Sequence, residues 1–389
     1  MDIISEIREL LPSHPEMQLE WTRIEHSSIG GFLAEMEQTP QNPDFHGEGD
    51  VYIHTKMVCQ ELTRNPEFYH CSSLQQVELF LAALLHDLGK IRTTRMEDGK
   101  WTSAHHSTAG SLMVREFLWK TCGLCGTLEK QRIRESVCSL VRHHMLAVHM
   151  LEQQNLDYKL RKTASMGEMA ADFSWYILCL LSEADAKGRI APDIGKSLEN
   201  IDLCRMMAEE AGCFDAPYLF QDGYTKRAYF SGRNVMPDQM LYNDTWGEVV
   251  LLSGLPGTGK DTYIREHFSE LPMISLDEIR KEHKIKPTDR QDMIIQIAKE
   301  RAKEYLRRKQ PFVWNATNIT RDIRQKQISL FERYGASVRI VYLETDWKTQ
   351  MKRNKERNAF VPEKVIEKML AKIVPPTPDE AKAVEWYCV

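Results

Sequence analysis

The chain has 389 residues, 42% hydrophobic and 28% charged, which is too long for a single ordinary core and fits two domains that each bury their own. A formal net charge of -5 argues weakly against a nucleic-acid binder, because an acidic average can hide a local basic groove. No apolar run approaches a membrane span and the opening segment lacks the pattern of a secretory leader, so a cytoplasmic protein with no membrane partner is expected.

Residues 1–212 read as an all-α domain. Apolar positions recur at helical spacing over 77–85 and again over 174–184, and these two helices are expected to form its core. Thr39-Pro-Gln-Asn-Pro-Asp44 punctuates the chain before a helix bearing His54, and Arg92 to Ala104 has the polar, glycine-containing character of a loop near a site. The nine cysteines sit mostly inside apolar runs and read as reduced thiols; the pair at metal-like spacing, Cys122 and Cys125, reads as a surface turn rather than a zinc site. Residues 213–246 are rich in aromatic, glycine and turn residues without a clean period. Their aromatic content needs burial, so they read as a structured connector. From 247 to 389 the pattern changes to α/β: an apolar strand at 249–253, a glycine-rich loop, a helix from about Asp261, strands at 273–275, 312–314 and 338–343, and helices at 289–307 and 322–334. Strands alternating with long helices predict a parallel sheet with helices on both faces.

Two constellations carry chemistry. The first is His54, His86, Asp87, His106, a histidine at 143 or 144, and Asp185. Imidazoles mixed with carboxylates suit borderline divalent ions such as Mn2+, Fe2+, Co2+, Ni2+ or Zn2+, and ligands on different helices of a bundle can converge on its centre. His86-Asp87 stands out because two polar residues directly follow Leu84-Leu85 and precede Gly89, so their burial requires partners. An aspartate bridging two metals would help to position a hydroxide and offset charge on an attacked phosphate. An isolated histidine is more often a surface or hydrogen-bonded residue than a ligand, and His46, His70 and His149 keep that reading.

Gly49-Asp50-Val-Tyr-Ile-His54-Thr55, Leu84-Leu-His86-Asp87-Leu-Gly-Lys90, His105-His106-Ser-Thr-Ala-Gly110 and Glu183-Ala-Asp185-Ala-Lys-Gly-Arg189 resemble, in order and spread, the successive motifs of HD-superfamily metal phosphohydrolases. They are particularly similar to the HD module attached to bacterial tRNA nucleotidyltransferases, a 2',3'-cyclic phosphodiesterase and phosphatase. The resemblance implies one metal held by His54, His86, Asp87 and Asp185, and a second completed by His106 and either His143 or His144. His106 matches better than His105 because it directly precedes the Ser-Thr-Ala-Gly stretch. Lys90 and Arg189 would contact substrate phosphate or form structural salt bridges.

The second constellation is a P-loop, Gly254-Leu-Pro-Gly257-Thr258-Gly259-Lys260-Asp261-Thr262. Its glycines let successive backbone N–H groups wrap phosphate oxygens, and Lys260 can reach the β and γ phosphates. Where Ser or Thr usually follows the lysine, this chain has Asp261 and then Thr262; a carboxylate there ligates Mg2+ directly or through water, or points away at the helix start. Asp277 and Arg280, three apart after the strand at 273–275, share a face of a starting helix. Asp277 would orient and deprotonate a hydroxyl while Arg280 holds a neighbouring phosphate; the bland alternative is a helix cap with a solvent-facing arginine. The charged run 352–357 reads as a lid or as a solvated helix face.

Gly254 to Thr262, Asp277-x-x-Arg280, Asn315-Ala-Thr-Asn318 and Arg353-Asn-Lys-Glu-Arg357 with Val361-Pro362 resemble the phage and bacterial 5'-hydroxyl polynucleotide kinases. That match implies Asp277 as general base, Arg280 as ligand of the acceptor's phosphate, and Arg353 and Arg357 as lid arginines on the donor phosphates. Asn315 stands where many relatives carry Asp, a departure at a metal-organising position.

The two resemblances in this order look like the bacterial HD-domain/polynucleotide kinase fusions of RNA end healing. They imply ATP or another nucleoside triphosphate with Mg2+ phosphorylating a 5'-hydroxyl, and an HD phosphatase loaded with Mn2+, Ni2+, Co2+ or Zn2+ removing 2',3'-cyclic, 2'- or 3'-phosphate. Nucleic-acid ends, RNA before DNA, are the expected partners, with an RNA ligase consuming the product. A small-nucleotide kinase fused to a nucleotide phosphohydrolase, and a nucleotide-sensing regulatory protein, are the competing readings.

Overall fold

In the computed structural model, which describes residues 2–285, 291–356 and 360–389, the first part of the chain builds helices from the capping residues its sequence offers. Asp50 accepts from the Ile53 N–H and opens α1 (Val51–Arg64); a capping box of Ser72 and Gln75 opens α2 (Ser73–Leu85). The hairpin β1 (Arg95–Glu97) and β2 (Lys100–Thr102) follows, then α3 (His106–Lys120) and α4 (Leu128–His143). Ser174 caps α5 (Trp175–Lys187), which precedes α6 (Ile194–Glu210). Residues 77–85 of α2 are all buried, and with 177–181 of α5 they lie at the heart of the apolar core, as the two helical runs predict. The hairpin corrects the expected loop at 92–104: Asp98 and Gly99 both have positive φ, the conformation that Asp-Gly adopts in tight two-residue hairpin turns. Cys125 is buried, not at the surface as a turn residue would be, and all nine cysteines are free thiols.

Two glycines set how closely the ligand-bearing segments meet. A Cβ on Gly188, just past α5, would lie 2.6 Å from the Val58 nitrogen in α1, and one on Gly89 would lie 2.0 Å from the carbonyl oxygen of His106 at the start of α3. Neither backbone atom can swing aside as a side-chain tip would, so a methyl at either position must push the helices apart.

Glu78 is the exception in the apolar run of α2. It is fully buried, one of its oxygens accepts from the Ser136 hydroxyl and the other has no partner, and burial pushes its carboxyl well above the ordinary range. The folded protein therefore keeps a proton that the unfolded chain releases near its ordinary pKa of about 4.3, so this group's stabilisation is complete below that pH and is lost as pH rises through the folded value. Glu78→Gln is expected to raise Tm at pH 8 by about 2–4 °C for each kcal/mol recovered, and to leave Tm at pH 4 nearly unchanged. Thermal scans at the two pH values check this; an equal shift at both would remove the carboxyl from the explanation.

Contacts divide the chain into one unit running up to Leu124 with Glu129–Tyr218, and another of Cys125–Leu128 with Leu219–Val389. The segment 213–246 is thus shared: 213–218 belongs to the first unit and 219–246 to the second. There α7 (Gly223–Phe230) is tied down by Arg227, which donates to both Glu332 carboxylate oxygens at 2.7 and 2.9 Å and to the Asp379 carbonyl at 3.1 Å.

The second unit is a five-stranded parallel sheet in the order β4-β5-β3-β6-β7, made of β3 (Glu248–Ser253), β4 (Met273–Ser275), β5 (Val313–Asn315), β6 (Ser337–Glu344) and β7 (Ala383–Cys388). Val249 and Leu251 point to one face, with Ile294 and Ala298 of α10 (Gln291–Arg307) and Phe331 of α11 (Arg321–Arg333). Val250 and Leu252 point to the other, with Tyr263 and Ile264 of α8 (Lys260–His267). This alternation is what a strand covered on both sides requires. The edge strand β7 was absent from the sequence reading; it pairs with β6 over six residues. The remaining helices are α9 (Leu276–Glu282), α12 (Trp347–Glu356) and α13 (Glu363–Leu370).

Candidate functional site

Four histidines and two aspartates meet inside the first unit. His54 comes from α1, His86 and Asp87 from the end of α2, His106 from the first residue of α3, His144 from the turn after α4, and Asp185 from α5. Asp87 stands between two groups: its Oδ2 lies 3.6 Å from His54 Nε2 and 3.4 Å from His86 Nε2, and its Oδ1 lies 3.3 Å from His106 Nε2 and 3.9 Å from His144 Nε2. Asp185 Oδ1 joins the first group at 3.1 Å from His54 Nε2 and 3.9 Å from His86 Nε2. The ring nitrogens also face each other, His54 with His86 at 3.2 Å and His106 with His144 at 3.3 Å.

The opposite ring nitrogens explain why. Nδ1 of His54, His86, His106 and His144 donates to the carbonyls of Gly188, Ala83, Ser103 and Val141 at 3.0, 2.8, 2.9 and 2.8 Å, which fixes the tautomer and aims each Nε2 inward. In the second group nothing donates. Burial lowers the pKa of His106, and burial with the neighbouring His86 takes His144 down to about 3, so both rings are neutral. Their Nε2 lone pairs converge with Asp87 Oδ1, which has no hydrogen-bond partner. Two buried acceptors and a partly buried third without a donor are costly, and a divalent cation would supply what they lack. In the first group, burial works against protonation of His54, but Asp185 and Glu48 outweigh it and raise the pKa to about 9. A cation bound there displaces that proton. Burial would likewise raise Asp87, yet Lys90 and His86 hold its carboxyl well below the carboxylate range. Both groups could therefore hold a divalent metal ion, and Asp87 belongs to each.

His143 is not brought in. Its ring lies 6.2 Å from that of Phe173, and successive residues at a helix end are about 100° apart, so only one of the two can face the cluster. His105 caps α3 at φ 61° and is exposed. Lys90 Nζ lies 2.7 Å from Asp87 Oδ2. Arg189 turns to Ser197 Oγ at 2.8 Å and Asp193 Oδ2 at 3.4 Å, a structural arrangement. Glu48 was missed: its Oε1 lies 2.8 Å from His46 Nδ1 and 3.1 Å from His54 Nδ1, while Oε2 accepts from the Ile190 N–H at 2.8 Å. His46, expected as an ordinary histidine, is thereby drawn against the cluster with its ring 4.8 Å from that of His54.

In the second unit the P-loop joins β3 to α8. Gly257 and Gly259 have φ of 86° and 85°, and a Cβ on Gly257 would lie 2.9 Å from the Gln350 carbonyl oxygen. Lys260 Nζ donates to the carbonyls of Gly254 at 2.9 Å and Leu255 at 2.8 Å, which puts the ammonium within the curve of the loop. Thr258 Oγ1 donates to the Leu255 carbonyl at 2.9 Å, and Thr262 Oγ1 accepts from Arg265 at 3.1 Å. Gln350, which no motif marks, is buried and donates to the Pro256 carbonyl at 3.0 Å, fixing α12 behind the loop. Arg353 stands beside Gly259, with Nη1 3.7 Å from the place of a Cβ there. Arg357 lies outside the described residues.

The two departures from the P-loop kinase pattern touch each other: Asn315 Nδ2 donates to Asp261 Oδ1 at 2.7 Å. Asn315 ends β5 in register with Ser275 at the end of β4, and Ser275 caps α9, which carries Asp277 and Arg280. Arg280 Nη1 donates to Asp277 Oδ1 at 2.7 Å, with the two side chains 20% and 56% exposed. The loop, the Asp261–Asn315 pair and the Asp277–Arg280 pair thus share the carboxyl edge of adjacent strands, where open parallel sheets bind ligands.

No helix among the described residues is long and apolar enough to cross a membrane. An HD domain model matches residues 51–166, spanning His54 to His144 and stopping before Asp185; an AAA domain model matches residues 249–376, spanning the P-loop, Asp277, Asn315 and Arg353. No curated protein sequence matches the chain. The chain therefore joins an HD domain of the metal-dependent phosphohydrolase type to a P-loop domain of the kinase type.

Proposed function

We propose that the chain heals broken nucleic-acid ends, RNA before DNA, phosphorylating 5'-hydroxyls from ATP or another nucleoside triphosphate and removing 2',3'-cyclic, 2'- or 3'-phosphate from the opposite end. The observation that carries this reading is the acceptor side of the kinase unit. Asp277 is more than half exposed and shares a hydrogen bond with Arg280, so a hydroxyl presented to the carboxylate has a cation beside it. That suits a 5'-hydroxyl whose neighbour is a phosphodiester, and an exposed base accepts a large substrate. Asp277 would orient the hydroxyl and take its proton, Lys260 and the loop N–H groups would hold the donor phosphates, and Arg353 would offset charge on them. In the HD unit, two divalent cations would activate a water and neutralise the attacked phosphate. His54, His86, Asp87 and Asp185 would hold one and Asp87, His106 and His144 the other. The combined product, 5'-phosphate and 3'-hydroxyl, is what a ligase joins.

Mg2+ in the kinase site would fall to Asp261. The usual hydroxyl after the lysine and carboxylate at the strand end are here a carboxylate after the lysine and an amide at the strand end, joined by a hydrogen bond, so the site keeps one carboxylate and moves it across. Asp261→Asn is expected to cut the Mg2+-dependent part of nucleotide affinity on the order of tenfold, about 1.4 kcal/mol, and the pair Asp261→Ser with Asn315→Asp to restore it. Nucleotide titrations with and without Mg2+ measure this; an unchanged Mg2+ dependence in Asp261→Asn rejects the exchange.

The function itself is tested on a short RNA with a 5'-hydroxyl and a 2',3'-cyclic phosphate, supplied with ATP, Mg2+ and then Mn2+ or Ni2+. Conversion at both ends is expected. Folded, metal-loaded protein that converts mononucleotides and neither RNA end would establish the small-nucleotide reading instead.

A further inference from the structure

We propose that the cavity beside the HD cluster, between the loop 41–49 and the β1–β2 hairpin, binds the base of the terminal nucleotide whose phosphate is hydrolysed. The proposal rests on the end-healing reading for the phosphate and adds a site for the base. The cavity holds about 510 Å³ and is lined by Asn42, Pro43, His46, Met96, Lys100 and Trp101, among others. Its inner wall is shared with the metal cluster. Lys90 Nζ donates to Gln41 Oε1 of the cavity lining at 2.6 Å while lying 2.7 Å from Asp87 Oδ2. His46 lines the cavity on one side and faces His54 on the other. A phosphate ester at the cluster therefore has this cavity next to it for the group it carries.

The chemistry of the walls chooses the occupant. Trp101, Met96 and Pro43 offer flat or soft apolar surface, and Asn42 adds an amide, the combination that stacks a base and meets its edge. Lys100, the one lysine of the lining, is paired with Asp44 at 2.8 Å, so its charge is already balanced and the cavity has no surplus cation for a second phosphate. The lining is also held in place before any ligand arrives: Gln41 Nε2 donates to the Asp50 carbonyl at 3.0 Å, and Asn42 Oδ1 accepts from the Asp44 N–H at 3.0 Å.

The test compares 3'-phosphate-end hydrolysis on an oligonucleotide ending in a normal base, on the same strand ending in an abasic ribose, and on a 2',3'-cyclic mononucleotide. Trp101→Ala should lower kcat/KM about tenfold on the base-bearing strand and leave the abasic strand unchanged, with Trp101→Phe restoring most of the loss. The mononucleotide arm tells a polynucleotide end from a free nucleotide as the source of the base. Equal losses on basic and abasic strands, or no loss on either, overturn the proposal. Photocrosslinking from a 4-thiouridine at the 3'-terminal position reads the contact without turnover, and a crosslink within 95–102 is expected. If the wild-type protein hydrolyses none of these ends yet crosslinks there, end healing fails and the base site stands; crosslinks found only elsewhere overturn the base site.

Discussion

Asp87→Asn is expected to abolish hydrolysis by the HD unit, by on the order of 10³-fold or about 4 kcal/mol of barrier, and to leave 5'-phosphorylation within a factor of about two. The carboxylate is the one group common to both halves of the cluster, with Oδ2 toward His54 and His86 and Oδ1 toward His106 and His144. Replacing the carboxylate by an amide removes the negative charge both halves share and turns a donor toward one of them, so any cation held in either half would weaken. Metal content of the purified protein, measured beside activity, separates this from a loss of fold. His144→Ala should cost one metal and most of the activity, whereas His143→Ala, on the ring turned toward Phe173, should cost neither. A folded Asp87→Asn protein with full phosphatase activity and metal content would sink the bridging assignment.

The candidate ligands that the structure brings together were legible in the chain because they sit at helix ends or within a turn of them. His86 and Asp87 follow an apolar run and precede a glycine, and that glycine proves to be the point of closest approach to His106. What sequence could not do was choose between adjacent histidines, since that choice depends on where α4 ends, and helix ends are the least certain feature of a periodicity argument. Glu48 was invisible for another reason. It lies on a loop, and only the return of the chain at Ile190, some 140 positions later, brings it onto His54. The hairpin was missed by reading 92–104 as polar and giving no weight to its Asp-Gly turn. In the second unit, periodicity gave four strands and their parallel arrangement, because each is short, apolar and followed by a helix. β7 carries Glu385 and lies at the sheet edge, so its pattern is weak and only its pairing with β6 reveals it. The Asp261–Asn315 contact joins two residues 54 positions apart; each was visible as an oddity, and only the geometry shows that one answers the other.

Asp277→Asn should remove phosphoryl transfer while leaving nucleotide binding intact, a loss of about 10²–10⁴-fold in kcat if the carboxylate takes the proton of the acceptor. Its neighbours support that separation. Asp277 belongs to α9 at the end of β4, whereas Lys260 and the loop glycines belong to the end of β3, with β5 between them. Donor and acceptor would therefore be held by different strands of one sheet, and a defect on one side need not reach the other. If Arg280 holds the neighbouring phosphate, as proposed, Arg280→Ala should raise KM for a 5'-hydroxyl strand more than it lowers kcat, and the effect should vanish on a free nucleoside that has no such phosphate. Lys260→Ala should lose donor binding and transfer together, with the HD activity of all three variants unchanged. Single-turnover assays with measured nucleotide affinity distinguish these patterns. If Asp277→Asn keeps its kcat, the acceptor proton leaves by another route, and the Asp277–Arg280 pair is reduced to a partly exposed structural ion pair on the first turns of a helix, worth on the order of 0.2–1 kcal/mol to the fold.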